Sequence, residues 1–223
     1  MSRISGNMGK GAFAACLLAA TLSTPAFATV PRSASAAPSA TATGWTITVY
    51  YTPVEAYFDG SAQKVTGCAD PDCTHGKVSL GEFPKDFVTT IETEGVGRIS
   101  SGSYRGKYLT YDTTTGFYID TAARDAEGNP LVAFRTAAAD PRALKANSRF
   151  VITACGTDSG SQPDPTVCKK LKSPVWKVTD EFISPTYGGV RHVDLYVGEQ
   201  NTKDFDSSPF YIMYEKAALT ILK

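Results

Sequence analysis

The sequence predicts a mainly β domain, built as a closed barrel or a sandwich. Three observations carry that expectation. Short runs of β-branched and aromatic residues recur along the chain, Gly-, Asp- and Pro-rich turns separate them, and a sustained 3.6-residue period is nearly absent. An α/β layer fold would need helical segments alternating with the strands, and the pattern lacks them.

The runs follow in order. WTITVYYTPVEAYF (45–58) opens the domain with β-branched and aromatic residues, and FVTTIE (87–92) follows Pro84 as a further strand candidate. GRISSGSYRGKYLTYDTTTGFYID (97–120) holds several short strands punctuated by Gly97, Gly102, Gly106 and Gly116. PLVAFRTAAA, SRFVITAC, VWKVTDEF, HVDLYVGE and FYIMYEKAALTIL continue the pattern to the end of the chain. One weak helical segment, Ala137 to Ala146, is interrupted by Pro141. Two polar loops interrupt the C-terminal strands, SGSQPDPTV before Cys168 and ISPTYGG after Phe182. Loops on a rigid β scaffold are where binding sites concentrate.

The first residues read as an export signal. Arg3 and Lys10 make a basic start, Gly11 to Leu22 is apolar and small, and Ala26-Phe27-Ala28 is a small-x-small cleavage site. The run is too short and wrongly flanked for a membrane span. Cys16 lies inside it and is expected to leave with it. Residues 1–28 are therefore assigned to the signal and 29–43, rich in Ala, Ser, Thr and Pro, to a flexible leader. Residues 44–223 suffice for one domain with a substantial core, in an extracellular or cell-wall setting. Losing Arg3 and Lys10 leaves 20 Lys and Arg against 22 Asp and Glu. A nearly neutral chain has no electrostatic footprint for nucleic acid or an anionic membrane surface.

Four cysteines survive cleavage: Cys68, Cys73, Cys155 and Cys168. An even number in an exported chain points to two disulfides, and the local pairs 68–73 and 155–168 are the simplest of three connectivities. A rival reading takes CADPDCTH (68–75) as a zinc knuckle, but its ligand spacing is poor and the compartment oxidising. Paired cysteines leave no thiol nucleophile, and no G-x-S-x-G elbow supports a serine triad. Phosphate-loop and dinucleotide fingerprints are missing, so no cofactor is expected.

RHVDLYVGEQ (191–200) carries one of only two histidines. With a period of two, Val193, Leu195 and Val197 take one face of a strand and His192, Asp194 and Tyr196 the other. An imidazole, an acid and a phenol on one strand face form either a solvated surface or the wall of a groove.

Three aspartates then stand in a particular order. Asp140 lies in TAAADPRAL ahead of SRFVITACG, Asp180 ends VWKVTD, and Asp194 lies in RHVDLY after Gly188-Gly189. This order resembles the three-aspartate (3D) domain family, which includes the barrel of the membrane-bound lytic transglycosylase A type, and the match spans about 135–199. Leu144 to Ser148 stands where the family carries a proline-and-glycine segment, and the loop between the second and third aspartates is longer than usual. The resemblance implies a six-stranded double-psi β-barrel with added loops or a small extra lobe, and residues 44–134, which carry no motif of the family, supply either the barrel's early strands or that lobe. It implies cleavage of the β-1,4 bond between N-acetylmuramic acid and N-acetylglucosamine in peptidoglycan, closing a 1,6-anhydro ring without water. Asp194 would be the acid/base, Asp180 a supporting carboxylate, and Asp140, His192, Tyr196 and Tyr187 supporting or sugar-contacting groups, with Trp176 a further stacking candidate. Asp140 also has a plain structural role open to it, since an aspartate before proline commonly fixes a turn. The competing expectation is a non-catalytic double-psi barrel that binds cell-wall glycan, as expansin-like modules do, or inhibits a secreted protease; fold alone does not choose between them.

Overall fold

A computed structural model of the chain describes residues 40–182 and 189–223. Among them the strand runs fold as β1 (Ala40–Thr52), β2 (Ala62–Gly67), β3 (Val78–Pro84), β4 (Val96–Arg98), β5 (Tyr108–Asp112), β6 (Gly116–Asp120), β7 (Thr136–Ala139), β8 (Arg149–Ala154), β9 (Thr157–Asp158), β10 (Trp176–Glu181), β11 (His192–Glu199) and β12 (Tyr214–Leu222). Two helices join them, α1 (Lys85–Glu94) and α2 (Pro165–Lys172).

Alternation in β1 sets the architecture. Trp45 and Ile47 point inward and are buried, while Thr46, Thr48, Tyr50 and Thr52 take the opposite face. The order β1-β11-β7-β10-β8-β12 closes on itself because β12 also pairs with β1, giving a ring of six strands with β9 appended beyond β12. β1–β11 and β7–β10 are parallel, and the other pairs in the ring are antiparallel. Closure leaves these six strands without an unpaired edge. Phe150, Ile152, Trp176, Val178, Val193 and Leu195 pack inside with Trp45 and Ile47.

Between β1 and β7 the chain builds a lobe of its own. β2–β3 forms a two-stranded sheet and β4-β5-β6 a three-stranded one. α1 packs on them around Val65, Leu80, Phe83, Phe87, Ile91, Leu109 and Ile119, a core separate from that of the ring. Residues 44–134 thus divide: β1 belongs to the ring and the rest supplies the added lobe. Polar bonds fasten the joint. Val54 N–H donates to Gln200 Oε1 at 3.1 Å, Gln200 N–H to the Thr52 carbonyl at 2.8 Å, and Tyr108 Oη to Glu199 Oε1 at 2.7 Å.

The structure corrects four sequence expectations. FVTTIE is not a strand. Phe87, Val88 and Ile91 bury one face of α1, and Gly95 in the left-handed region (φ 83°) closes it by donating to the Ile91 carbonyl at 2.8 Å. Tertiary burial here overrides the β-branched propensity of Val88, Thr89 and Thr90. SGSQPDPTV is not wholly a loop either, because Asp164 caps α2 by accepting from Thr166 and Val167 N–H, with Pro165 at the first helical position. Thr136–Ala139 forms the strand expected of PLVAFRTAAA, and the overlapping weak helix from Ala137 to Ala146 does not form. Finally, β1 begins at Ala40, so Ala40–Thr43, expected in the leader, pair with β12. Residues 1–39, which include the signal assignment, and 183–188 lie outside the described residues.

Both local disulfides form, Cys68–Cys73 and Cys155–Cys168. That removes Cys68 and Cys73 from any zinc site. Among the described residues no group of three His, Cys, Asp or Glu side chains is arranged to hold a metal ion.

Candidate functional site

Strand register brings the chemistry together. Thr48 on β1 pairs with Asp194 on β11, Asp194 pairs with Ala138 on β7, and Ala138 pairs with Asp180 on β10. Residues opposite one another in register project from the same face, so Thr48, Asp194, Ala138 and Asp180 form one row across four strands. This face is the one opposite the packed interior, because Val193 and Leu195 fill the core. The two aspartates are two strands apart, which puts their Cα atoms about 10 Å from each other. The residue between them is a buried alanine.

Asp194 is half-buried. Thr48 Oγ1 donates to its Oδ1 at 2.8 Å and lies 2.7 Å from His192 Nε2. Burial pushes the Asp194 carboxyl up to about 6; the Thr48 bond opposes the shift and the negative charge of Asp180 adds to it. Asp180 accepts from Tyr50 Oη at 3.1 Å and from Ala126 N–H at 3.2 Å. Ala126 sits in a turn held by Asp125, whose Oδ1 accepts from Glu127 and Asn129 N–H. The connection out of the added lobe therefore ends on the second aspartate.

The other predicted residues divide. His192 is buried beside Thr48, with the Phe182 ring edge-on at 4.7 Å. Tyr196 is buried against Tyr50, with centroids 5.2 Å apart, and bonds Thr52 Oγ1 at 2.8 Å; burial pushes its phenol up to about 12. His192 and Tyr196 thus support the row from either side. Asp140 does not join it. Arg142 binds both of its carboxylate oxygens through the guanidinium and Oδ1 through the backbone N–H, and holds the carboxyl below the usual range. Its role is to fix the turn after β7. Trp176 is wholly buried and donates to the Leu171 carbonyl, so it is core and not a sugar platform. Tyr187 lies outside the described residues.

Sequence reasoning missed Thr48, Tyr50 and Thr52. Their alternation with Trp45, Ile47 and Val49 was legible, but which strand would lie beside β11 was not. It also missed Glu94, the last residue of α1. Burial, reinforced by the charge of Asp194, pushes the Glu94 carboxyl up to about 7. A cavity of about 180 Å³ beside the row is lined by Ala126, Ala139, Val178 and Asp180. A further concavity of about 640 Å³ lies elsewhere, against the Cys155–Cys168 disulfide.

No protein-family model matches the sequence, and no curated protein matches it. The fold, however, has solved counterparts. MltA from E. coli with bound chitohexaose superposes with a TM-score of 0.52 over 80% of this chain and 71% of that one, at 11% identity. The two chains share a fold. A membrane-bound lytic murein transglycosylase from Agrobacterium tumefaciens is similar over 80% of this chain and 73% of that one, at 12% identity and a TM-score of 0.49. MltA from Neisseria gonorrhoeae gives the same TM-score and coverage at 11% identity.

Proposed function

We propose that this chain is an exported lytic transglycosylase that cleaves the MurNAc–GlcNAc β-1,4 bonds of peptidoglycan on a double-psi β-barrel of the three-aspartate type. One observation carries the reading: Asp194 stands half-buried in register with Asp180 across Ala138, its carboxyl raised to about 6. Glycan cleavage needs an acid that still holds a proton near neutral pH, beside groups that stabilise an oxocarbenium-like transition state. The shared fold of a lytic transglycosylase that binds chitohexaose supports a cell-wall glycan as the substrate.

In this mechanism Asp194 O–H protonates the glycosidic oxygen as its bond to C1 breaks. The C6 hydroxyl of the same sugar attacks C1, and its proton passes to the Asp194 carboxylate, restoring the acid. One carboxyl serves both halves, so no second nucleophile is required. Thr48 steadies the ionised form of Asp194 between the two halves. Asp180, held by Tyr50 and Ala126, supplies negative charge opposite the developing cation. His192 and Tyr196 keep Thr48 and Tyr50 in place.

The test is release of soluble glycan from purified peptidoglycan by the mature protein and by Asp194→Asn. The variant should fold normally and lose roughly 10²–10⁴-fold in rate, the usual contribution of a positioned acid/base. Wild-type rates in Asp194→Asn would remove Asp194 from this role.

A further inference from the structure

The cavity of about 180 Å³ beside Asp180 is built by an irregularity in β10. Val178 pairs with Ala137 and Asp180 with Ala138, so Thr179 is an extra residue, a bulge that aims its neighbours anew. The 140–148 loop folds back onto this bulge. Asn147 N–H donates to the Val178 carbonyl at 2.7 Å, and Val178 N–H donates to the Ser148 carbonyl at 2.9 Å. Asn147, in the left-handed region (φ 67°), also donates through Nδ2 to Glu127 Oε1 at 2.8 Å. Bulge, loop and the turn that carries Ala126 and Glu127 are thus braced around one small space.

Its walls divide by chemistry. Ala139, Leu144 and Val178, all buried, form an apolar side. Asp180 and Glu127 contribute carboxylates, which only accept hydrogen bonds when ionised. Thr179 contributes a hydroxyl. The residue is only 8% exposed, and its Oγ1 has no hydrogen-bond partner among the described residues. A buried hydroxyl without a partner destabilises a fold, and such exceptions concentrate at functional sites. The volume falls short of the roughly 300–1,000 Å³ of sites that enclose a whole small ligand. A cavity of this size takes a substituent of a sugar and not a ring.

We propose that this cavity is an acetamido subsite, taking the N-acetyl group of one sugar of the bound glycan; this rests on the reading of the Asp194–Asp180 row as a glycan-cleaving site. The methyl packs on Ala139, Leu144 and Val178. The carbonyl oxygen accepts from Thr179 Oγ1, and the amide N–H donates to the carboxylates. Rotation about χ1 of Thr179 exchanges its hydroxyl and methyl between staggered positions, which turns the donor toward the ligand. Other substituents of such a glycan match less well. A lactyl carboxylate would be repelled by Asp180 and Glu127, and a bare hydroxyl would leave the apolar side uncovered.

The test is calorimetric binding to the mature protein carrying Asp194→Asn, so that glycan is not consumed. Chitohexaose, with an acetamido group on every sugar, is compared with cellohexaose, which has a hydroxyl there. Chitohexaose should bind severalfold more tightly. Adding Thr179→Val should weaken chitohexaose about tenfold, the order of one hydrogen bond, and leave cellohexaose unchanged. The same substitution should raise the thermal midpoint, because it keeps a β-branched shape and removes the unpartnered hydroxyl. A merely structural threonine would lose stability instead. Ala146→Leu, at an exposed position of the cavity wall, fills the space and should reduce chitohexaose affinity with the same selectivity. Equal affinity for the two oligosaccharides, or chitohexaose binding that neither variant weakens, would overturn the subsite. Selective binding by a protein that releases no glycan from peptidoglycan would count against the assigned reaction and leave the subsite standing; glycan release without selectivity would do the reverse.

Discussion

The single hydroxyl of Thr48 bonds both Asp194 and His192. When Asp194 is ionised, Thr48 donates to it and accepts from His192 Nε2–H. The bond favours the charged carboxylate and so restrains the rise that burial imposes on Asp194. Two variants should then shift the alkaline limb of kcat/KM in opposite directions. Thr48→Val removes the donor, makes ionisation harder and moves the limb to higher pH. Asp180→Asn removes the neighbouring negative charge, makes ionisation easier and moves it to lower pH. A pH profile of glycan release measures both, and shifts of the same sign would contradict the arrangement. At this scale the sequence was partly legible. His192, Asp194 and Tyr196 could be grouped by strand period alone. Thr48 and Tyr50 could not, because their roles depend on a long-range parallel pairing that no local pattern encodes.

The four-strand row makes Ala138 informative at the scale of the element. β7 is a strand of four buried residues, TAAA, and its alanines read locally as a weak helix. Their small size is what the row needs, since a larger side chain at Ala138 would fill the space between Asp194 and Asp180. Ala138→Val keeps good strand propensity but adds two methyl groups at a buried position, which should cost about 1–3 kcal/mol in denaturant unfolding. Glycan release by the folded fraction should drop roughly a hundredfold, the order expected when reacting groups are misplaced by about 1 Å. A fully active variant would mean that Ala138 does not set the spacing of Asp194 and Asp180. α1 was illegible for a related reason. FVTTIE has strand composition, and only the burial of Phe87, Val88 and Ile91 against a lobe with its own core makes it helical.

For the whole molecule, two cores and two local disulfides support the face that carries Asp194 and Asp180. The mainly β class, the strand runs after residue 96 and both cysteine pairings were legible, because alternation and cysteine parity are local signals. The closure of six strands and the extra lobe came only with the resemblance to the three-aspartate family, because both depend on which strands meet. The Cys155–Cys168 bridge ties the end of β8 to α2 behind that face. The Cys155→Ala/Cys168→Ala double variant should lose about 3 kcal/mol in denaturant unfolding, from the chain entropy of a loop of this length. Activity of the folded fraction should persist, since neither cysteine touches the row. The central claim is the reaction itself. Mass spectrometry of the soluble products from purified peptidoglycan, wild type beside Asp194→Asn, tests it most directly. The account predicts 1,6-anhydro-muropeptides from wild type and almost none from the variant; reducing-end products, or no soluble product with the protein retained on the insoluble glycan, would contradict it.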